Sequence, residues 1–107
     1  MTVVILPEVL DFLDELVFKL YKQDYFAFKE DARQYVYNIH DSIPTVIERQ
    51  THKRSPTKLR RRGESYVTYN TTDRTTWYIF FSVDGERYVV EFITNNHAPD
   101  AVSFNID

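Results

Sequence analysis

Six of the thirteen lysines and arginines in this 107-residue chain fall within eleven consecutive positions, His52 to Arg62. They are Lys53, Arg54, Lys58, Arg60, Arg61 and Arg62, with no acid among them. Guanidinium forks match phosphate oxygens in two-pronged hydrogen bonds, and clustered bases gain from counterion release on a nucleic acid. The run therefore reads as a phosphate or nucleic-acid contact centred on Lys58, Arg60, Arg61 and Arg62, or else as a solvated loop that balances acidic surroundings. Those surroundings are acidic: residues 1–51 carry nine acids and five bases, residues 63–107 seven acids and two bases, and the net charge is −3. The two bases of the second half, Arg74 and Arg87, are candidate extensions of the patch.

Histidine titrates near neutrality and can pass a proton in RNA cleavage. Of the three histidines, His97 in Thr94-Asn95-Asn96-His97 is the candidate for that role; the alternative is an ordinary strand-end residue. His40 borders an apolar stripe and His52 falls in a loop. Three dispersed histidines without cysteine give no metal-ligand spacing. Two glycines, Gly63 and Gly85, cannot make a Gly-rich phosphate loop. No metal and no cofactor is expected. No carboxylate pair and no serine or threonine nucleophile motif stands out.

The elements that must position these groups follow from periodicity. Thr2-Val3-Val4-Ile5-Leu6 reads as a short strand. Pro7 opens a helix that runs to about Lys22, with Val9, Leu10, Leu13, Leu16, Val17 and Leu20 on one stripe. After a connection at Gln23-Asp24-Tyr25-Phe26, a second stripe, Phe28, Ala32, Tyr35, Val36, Ile39 and Ile43, predicts a helix from about Phe26 to Ile43. Pro44 is expected to stop or kink it, and Val46 and Ile47 can add one more turn. The two helices form an antiparallel hairpin. Residues 50–64 show no period and are expected to form a loop or a poorly ordered segment. Strands follow at Ser65 to Thr71, Thr75 to Val83 and Arg87 to Asn95, and the last residues, Ala98 to Asp107, read as an edge strand or a tail.

Val83-Asp84-Gly85-Glu86 is a strong hairpin signal, because Asp-Gly tolerates the positive φ values of a tight turn. With Asp84-Gly85 as the turn, Val83 faces Glu86. One face then carries Phe81 with Tyr88, Ile79 with Val90 and Trp77 with Phe92, and is expected to pack on the helices. The open face carries Ser82 with Arg87, Phe80 with Val89, Tyr78 with Glu91 and Thr76 with Ile93. Tyr78 and Arg87 join the candidate site there. Phe80, Val89 and Ile93 would need a cover: the tail, a partner chain or a second copy.

The chain has the length of one domain, 1–107, with eight Tyr, eight Phe and one Trp to fill a small core. Absence of cysteine fits a cytoplasmic setting. The N-terminus lacks a basic region and a long apolar run, so it does not read as a signal peptide. No apolar stretch reaches the ~18 residues of a membrane span.

The order strand, helix, helix, basic linker, antiparallel meander resembles the RelE/ParE superfamily of toxins from bacterial type II toxin–antitoxin modules. The residues that carry the likeness are Glu30-Asp31-Ala32-Arg33-Gln34-Tyr35-Val36, Tyr66-Val67-Thr68-Tyr69 and Arg74-Thr75-Thr76-Trp77-Tyr78-Ile79-Phe80-Phe81. Ile93-Thr94-Asn95-Asn96-His97 is similar to the ParE-like branch of plasmid stabilisation proteins. The resemblance implies an α+β fold: an N-terminal strand and a two-helix hairpin packed on an antiparallel β-sheet meander. It also implies a cognate antitoxin as partner. RelE-like members cleave mRNA on the ribosome, which would make the protein an mRNA endoribonuclease with Arg87, His97 and Arg74 catalytic and Lys58, Arg60, Arg61, Arg62 and Tyr78 on phosphate. ParE-like members inhibit DNA gyrase and cut nothing. A degenerate interaction module of the same fold is the alternative. The chain departs from the RelE-like pattern in being net acidic and in carrying Glu91, which would repel a phosphate, on the open face.

Overall fold

The computed structural model describes residues 1–23 and 26–98. The fold is α+β. Strand β1 (Thr2–Ile5) leads into helix α1 (Pro7–Lys22) and helix α2 (Lys29–Arg49). A two-residue strand β2 (Lys53–Arg54) and a 3-10 segment (Thr57–Arg62) precede strands β3 (Ser65–Thr72), β4 (Thr75–Asp84) and β5 (Arg87–Asn95). The five strands form one mixed sheet in the order β1-β5-β4-β3-β2. β2 to β5 are an antiparallel meander, and β1 lies parallel to β5 at the edge.

The helices cover one face of that sheet. Val9, Leu13 and Leu16 of α1 and Val36, Ile39, Ile43 and Ile47 of α2 share a buried cluster with Val67, Trp77, Ile79, Phe81, Val90 and Ile93. Trp77 is fixed at its rim: Phe12 meets its ring edge-on at 6.3 Å, and its Nε1 donates to the Tyr35 hydroxyl at 3.1 Å. The Tyr35 hydroxyl also pairs with Thr71 Oγ1 at 2.9 Å. One phenol thus ties α2 to two strands.

Helix α2 differs from the expectation at both ends. It starts at Lys29, with Phe28 in extended backbone at the N-cap and its ring exposed, rather than near Phe26. It also runs through Pro44 to Arg49. An internal proline costs ~3 kcal/mol through a lost hydrogen bond and a clash with the preceding turn. Beyond Pro44, burial of Ile47 returns roughly 1.5–3 kcal/mol, and half-buried Val46 adds to it. The extra turn also delivers Gln50, whose amide donates to Thr68 O and accepts from Thr68 N at 2.9 Å. That side chain copies a strand's backbone pairing at the outer edge of β3.

The β4–β5 register corrects the sequence reading. The loop is Gly85-Glu86, with Gly85 at φ +61°, and Asp84 faces Arg87. Val83 therefore faces Tyr88, Phe81 faces Val90 and Ser82 faces Val89. A bulge at Glu91 then moves the pairing by one residue, so that Phe80 faces Phe92, Ile79 faces Ile93 and Tyr78 faces Thr94. An extra residue flips everything beyond it to the other side. Phe92, expected against the helices, lies on the open face, and Ile93, expected on the open face, is core.

The segment 50–64 is ordered and not a loop. β2 pairs with Tyr66 and Ser65, Ser55 N donates to Glu64 O at 3.0 Å, and Leu59 is 4% exposed. The expected alternatives for Ala98 to Asp107 fall outside the described residues, except for Ala98, whose N–H donates to Asn95 O. Asp24 and Tyr25 of the expected interhelical connection also lie outside them.

Candidate nucleic-acid interface

The basic run folds because of Pro56 and Leu59 within it and Gly63 just after it. Pro56, in extended backbone, precedes the 3-10 turn, and Leu59 anchors that turn in the interior, outside the helix-side cluster. Gly63 ends it at φ +145°, pressed on the sheet so closely that a Cβ there would sit 2.8 Å from Phe81 N and 2.9 Å from Phe80 Cβ. Glu64 N donates to Ser82 Oγ at 3.3 Å. The segment therefore lies on the open face of the sheet, and it helps to bury Phe80, which is 0% exposed. The cover sought for Phe80 thus includes the basic run itself.

Within the run the cations divide. Arg60 Nε donates to Ser55 O at 3.0 Å, which closes the turn. The Arg62 guanidinium lies over the Phe92 ring, 4.2 Å from its centroid. Lys53, Arg54, Lys58 and Arg61 are exposed and have no carboxylate within ion-pair distance among the described residues; the ion pairs there are Arg33–Glu30 and Arg87–Asp84. Lys58, Arg61 and a half-engaged Arg62, with Lys53 on the face of its partner Tyr66, make a ridge along one side of the open face, whereas Arg54, opposite Ser65, projects to the helix side.

The floor beside the ridge is aromatic. Tyr66 meets Tyr78 at 5.9 Å and Phe80 at 5.6 Å, and Phe80 meets Phe92 at 5.7 Å. Glu91, the bulge residue, accepts from Ser82 Oγ at 3.1 Å. Its carboxylate is thereby directed along the sheet toward the hairpin end, off the Phe80–Phe92 row.

The candidate catalytic residues do not converge. Arg87 sits at the hairpin end, 2.7 Å from Asp84 in an exposed ion pair. His97 lies ten residues on, past the opposite end of β5, roughly 30 Å away at about 3.3 Å per residue. Phe92 and its Arg62 stand midway, roughly 16 Å from each by the same rise. Arg74 shares the His97 end: it occupies the β3–β4 turn, and Asn96 Nδ2 donates to its carbonyl at 2.8 Å. Asn96 Oδ1 also accepts from Thr76 N at 2.9 Å, so one side chain joins the end of β5 to that turn. His97 Nε2 pairs with Thr75 Oγ1 at 3.2 Å, and its N–H donates to Asn95 Oδ1 at 2.9 Å. The Asn-Asn-His motif thus acts first as a clamp on the sheet end.

Sequence reasoning missed the outer side of the helix pair. There α1 and α2 enclose an open groove of about 610 Å³ lined by Leu10, Val17, Phe18, Lys29, Arg33 and Tyr37 among others. Phe18 is 50% and Tyr37 59% exposed, and Lys29 Nζ lies 4.2 Å from the Phe18 ring centroid. The available signal was that Phe18 and Tyr37 fall off the two core stripes.

His52, read as a loop residue, packs edge-on against Phe81 at 4.8 Å and Tyr88 at 5.4 Å, and pairs with Ile47 O at 2.7 Å. It closes the C-terminal end of α2 and has no place in the interface. Among the described residues no group of His, Asp and Glu could hold a metal ion, and no helix is long and apolar enough to cross a membrane.

No family model, no curated protein and no solved structure matches this chain.

Proposed function

We propose that the chain is the cytoplasmic toxin component of a RelE/ParE-like toxin–antitoxin module, and that it arrests growth by binding a large phosphate-bearing target. The observation that carries this reading is the position of the basic run, on the sheet face away from the helices and beside a row of aromatic rings. Unpaired cations beside the half-buried rings of Tyr66 and Tyr78 suit a nucleic-acid backbone with its bases. The separation of Arg87 from His97 favours binding over cutting, because proton transfer and charge stabilisation must act within hydrogen-bond reach of the same phosphate. The helix-side groove, lined on α1 by Leu10, Val17 and Phe18 beside a single acid, Asp14, and cationic on α2 at Lys29 and at Arg33, which also pairs with Glu30, suits an antitoxin segment with apolar anchors and an acidic flank on the α2 side.

Induced expression in bacteria tests the reading. Growth arrest is expected, and Lys58→Glu with Arg61→Glu should relieve it while the protein stays folded. Purified protein should bind RNA or ribosomes with an affinity that falls steeply with salt and should leave mRNA intact. Harmless expression together with no binding at low salt overturns the proposal. Arrest with inhibited supercoiling identifies gyrase as the target instead.

A second reading, RelE-like cleavage, is favoured by the meeting of Arg74 and His97 at one sheet end, where His97 reaches the Thr75 hydroxyl. It requires mRNA to be cut on translating ribosomes and His97→Ala to abolish the cut.

A further inference from the structure

The sheet has two edges, and the chain treats them differently. At the β2 edge the strand is two residues long and consists of Lys53 and Arg54. Past it, the Gln50 amide occupies the backbone groups of Thr68. Short length, charge and a capping side chain are the usual means of preventing a sheet from accepting another strand. At the β1 edge neither charge nor a capping side chain is present among the described residues. Thr2, Val3, Val4 and Ile5 are all β-branched, uncharged and free of proline.

The backbone directions of β1 are fixed by its pairing to β5. Thr2 N donates to Glu86 O and Leu6 N to Val90 O, so the even-numbered peptide groups face β5. Successive groups alternate along a strand. The N–H and C=O groups of Val3 and Ile5 therefore point away from the sheet, and none of the four has a backbone partner among the described residues.

We infer that β1 is a self-pairing edge, and that its occupant is the β1 strand of a second copy of this chain. Val3 and Ile5 stand symmetrically about Val4. A two-fold axis through Val4 sets Val3 against Ile5 of the second copy and Ile5 against Val3. In antiparallel geometry each of these is a hydrogen-bonded pair that exchanges both bonds. All outward groups of both strands are then satisfied, with none left over. The absence of charge removes the like-charge repulsion that a self-paired Lys or Glu would bring. Val4 meets its own counterpart on the open-face side, where it neighbours Val89. The product is a continuous ten-stranded sheet whose two outer edges are the protected β2 edges. Four strand residues a side make a small contact, so the dimer belongs among weak, concentration-dependent associations.

The chain contains no cysteine, which makes a single-cysteine reporter clean. The Cβ atoms of a directly opposed antiparallel pair lie roughly 4.5–5.5 Å apart, within reach of a disulfide after slight adjustment. Sedimentation equilibrium of the 107-residue chain is expected to show the mass rising with concentration from 12.8 kDa toward twice that value. Val4→Cys should oxidise to a covalent dimer, whereas Val83→Cys, at the exposed hairpin tip, should not. Val3→Pro removes an outward N–H and leaves every bond to β5 intact, so it should hold the chain monomeric while the chain stays folded, with a modest loss of stability from the Val3 side chain that packs against the core. If Val3→Pro fails to fold, Val4→Lys, which opposes two charges on the axis, makes the same test. A chain that stays monomeric at every concentration overturns the inference. So does a dimer that Val4→Cys fails to trap or that a folded Val3→Pro or Val4→Lys variant leaves intact.

Discussion

The Arg62 guanidinium lies over the Phe92 ring on the open face, 4.2 Å from its centroid. The contact exists because the bulge at Glu91 turns Phe92 away from the helices. An exposed cation–π pair contributes ~0.5–1 kcal/mol. A double-mutant cycle of Arg62→Ala and Phe92→Leu, read by urea unfolding, should return a coupling of that size. Zero coupling would mean that the two side chains merely lie close.

Tyr35→Phe deletes one oxygen and two hydrogen bonds. It leaves the Trp77 N–H, on a side chain 2% exposed, without its partner. The expected loss is about 1–3 kcal/mol, the cost of an unsatisfied buried donor. Trp77 is the single tryptophan of the chain, so its fluorescence follows the change directly. An unshifted emission maximum with unchanged stability counts against the bond.

The two glycines should respond differently to alanine. Gly63→Ala forces a Cβ into Phe80 and Phe81 at φ +145° and should cost about 3 kcal/mol or more. At about 4–8 °C per kcal/mol for a domain of this size, that lowers the melting temperature by more than about 12 °C. Gly85→Ala meets nothing within 4 Å and should cost only about 1–2 kcal/mol of left-handed backbone strain. Equal melting shifts would disprove the close approach at Gly63.

Pro44→Ala restores an N–H to the middle of α2 at an exposed position. The gain in helix propensity, up to ~3 kcal/mol, is offset by ~0.4–1 kcal/mol from the freer unfolded chain. Net stabilisation of about 1–2 kcal/mol is expected in chemical denaturation. A destabilised variant would mean that the proline shapes the helix for the core.

Much of the fold was readable from period and punctuation. Pro7 and the stripe Val9-Leu13-Leu16 set α1 at its observed limits, and Asp84-Gly85 marked the hairpin to within one residue. The register past Val90 was not readable. Val89-Val90-Glu91-Phe92-Ile93 is apolar on both sides of one acid, and such a run fits either face until a bulge decides. The basic run was legible as an anomaly of charge. Its burial was not, because Leu59 and Gly63 act through contacts with Phe80 that have no local period. The candidate site was legible as a list of residue types rather than as a place. Arg74 and His97 meet at one sheet end, but Arg87 is tied to Asp84 at the other, a separation that strand length alone imposes.

The Gln50 amide at Thr68 has a consequence for the chain's behaviour at high concentration. A sheet open on both sides behaves as a bifunctional monomer: each addition leaves a fresh end, and growth runs on to fibres. With Gln50, Lys53 and Arg54 occupying one side, the molecule has a valence of one. Strand addition at the other side terminates as soon as it begins, so the protected β2 side separates a finite assembly from an unlimited one.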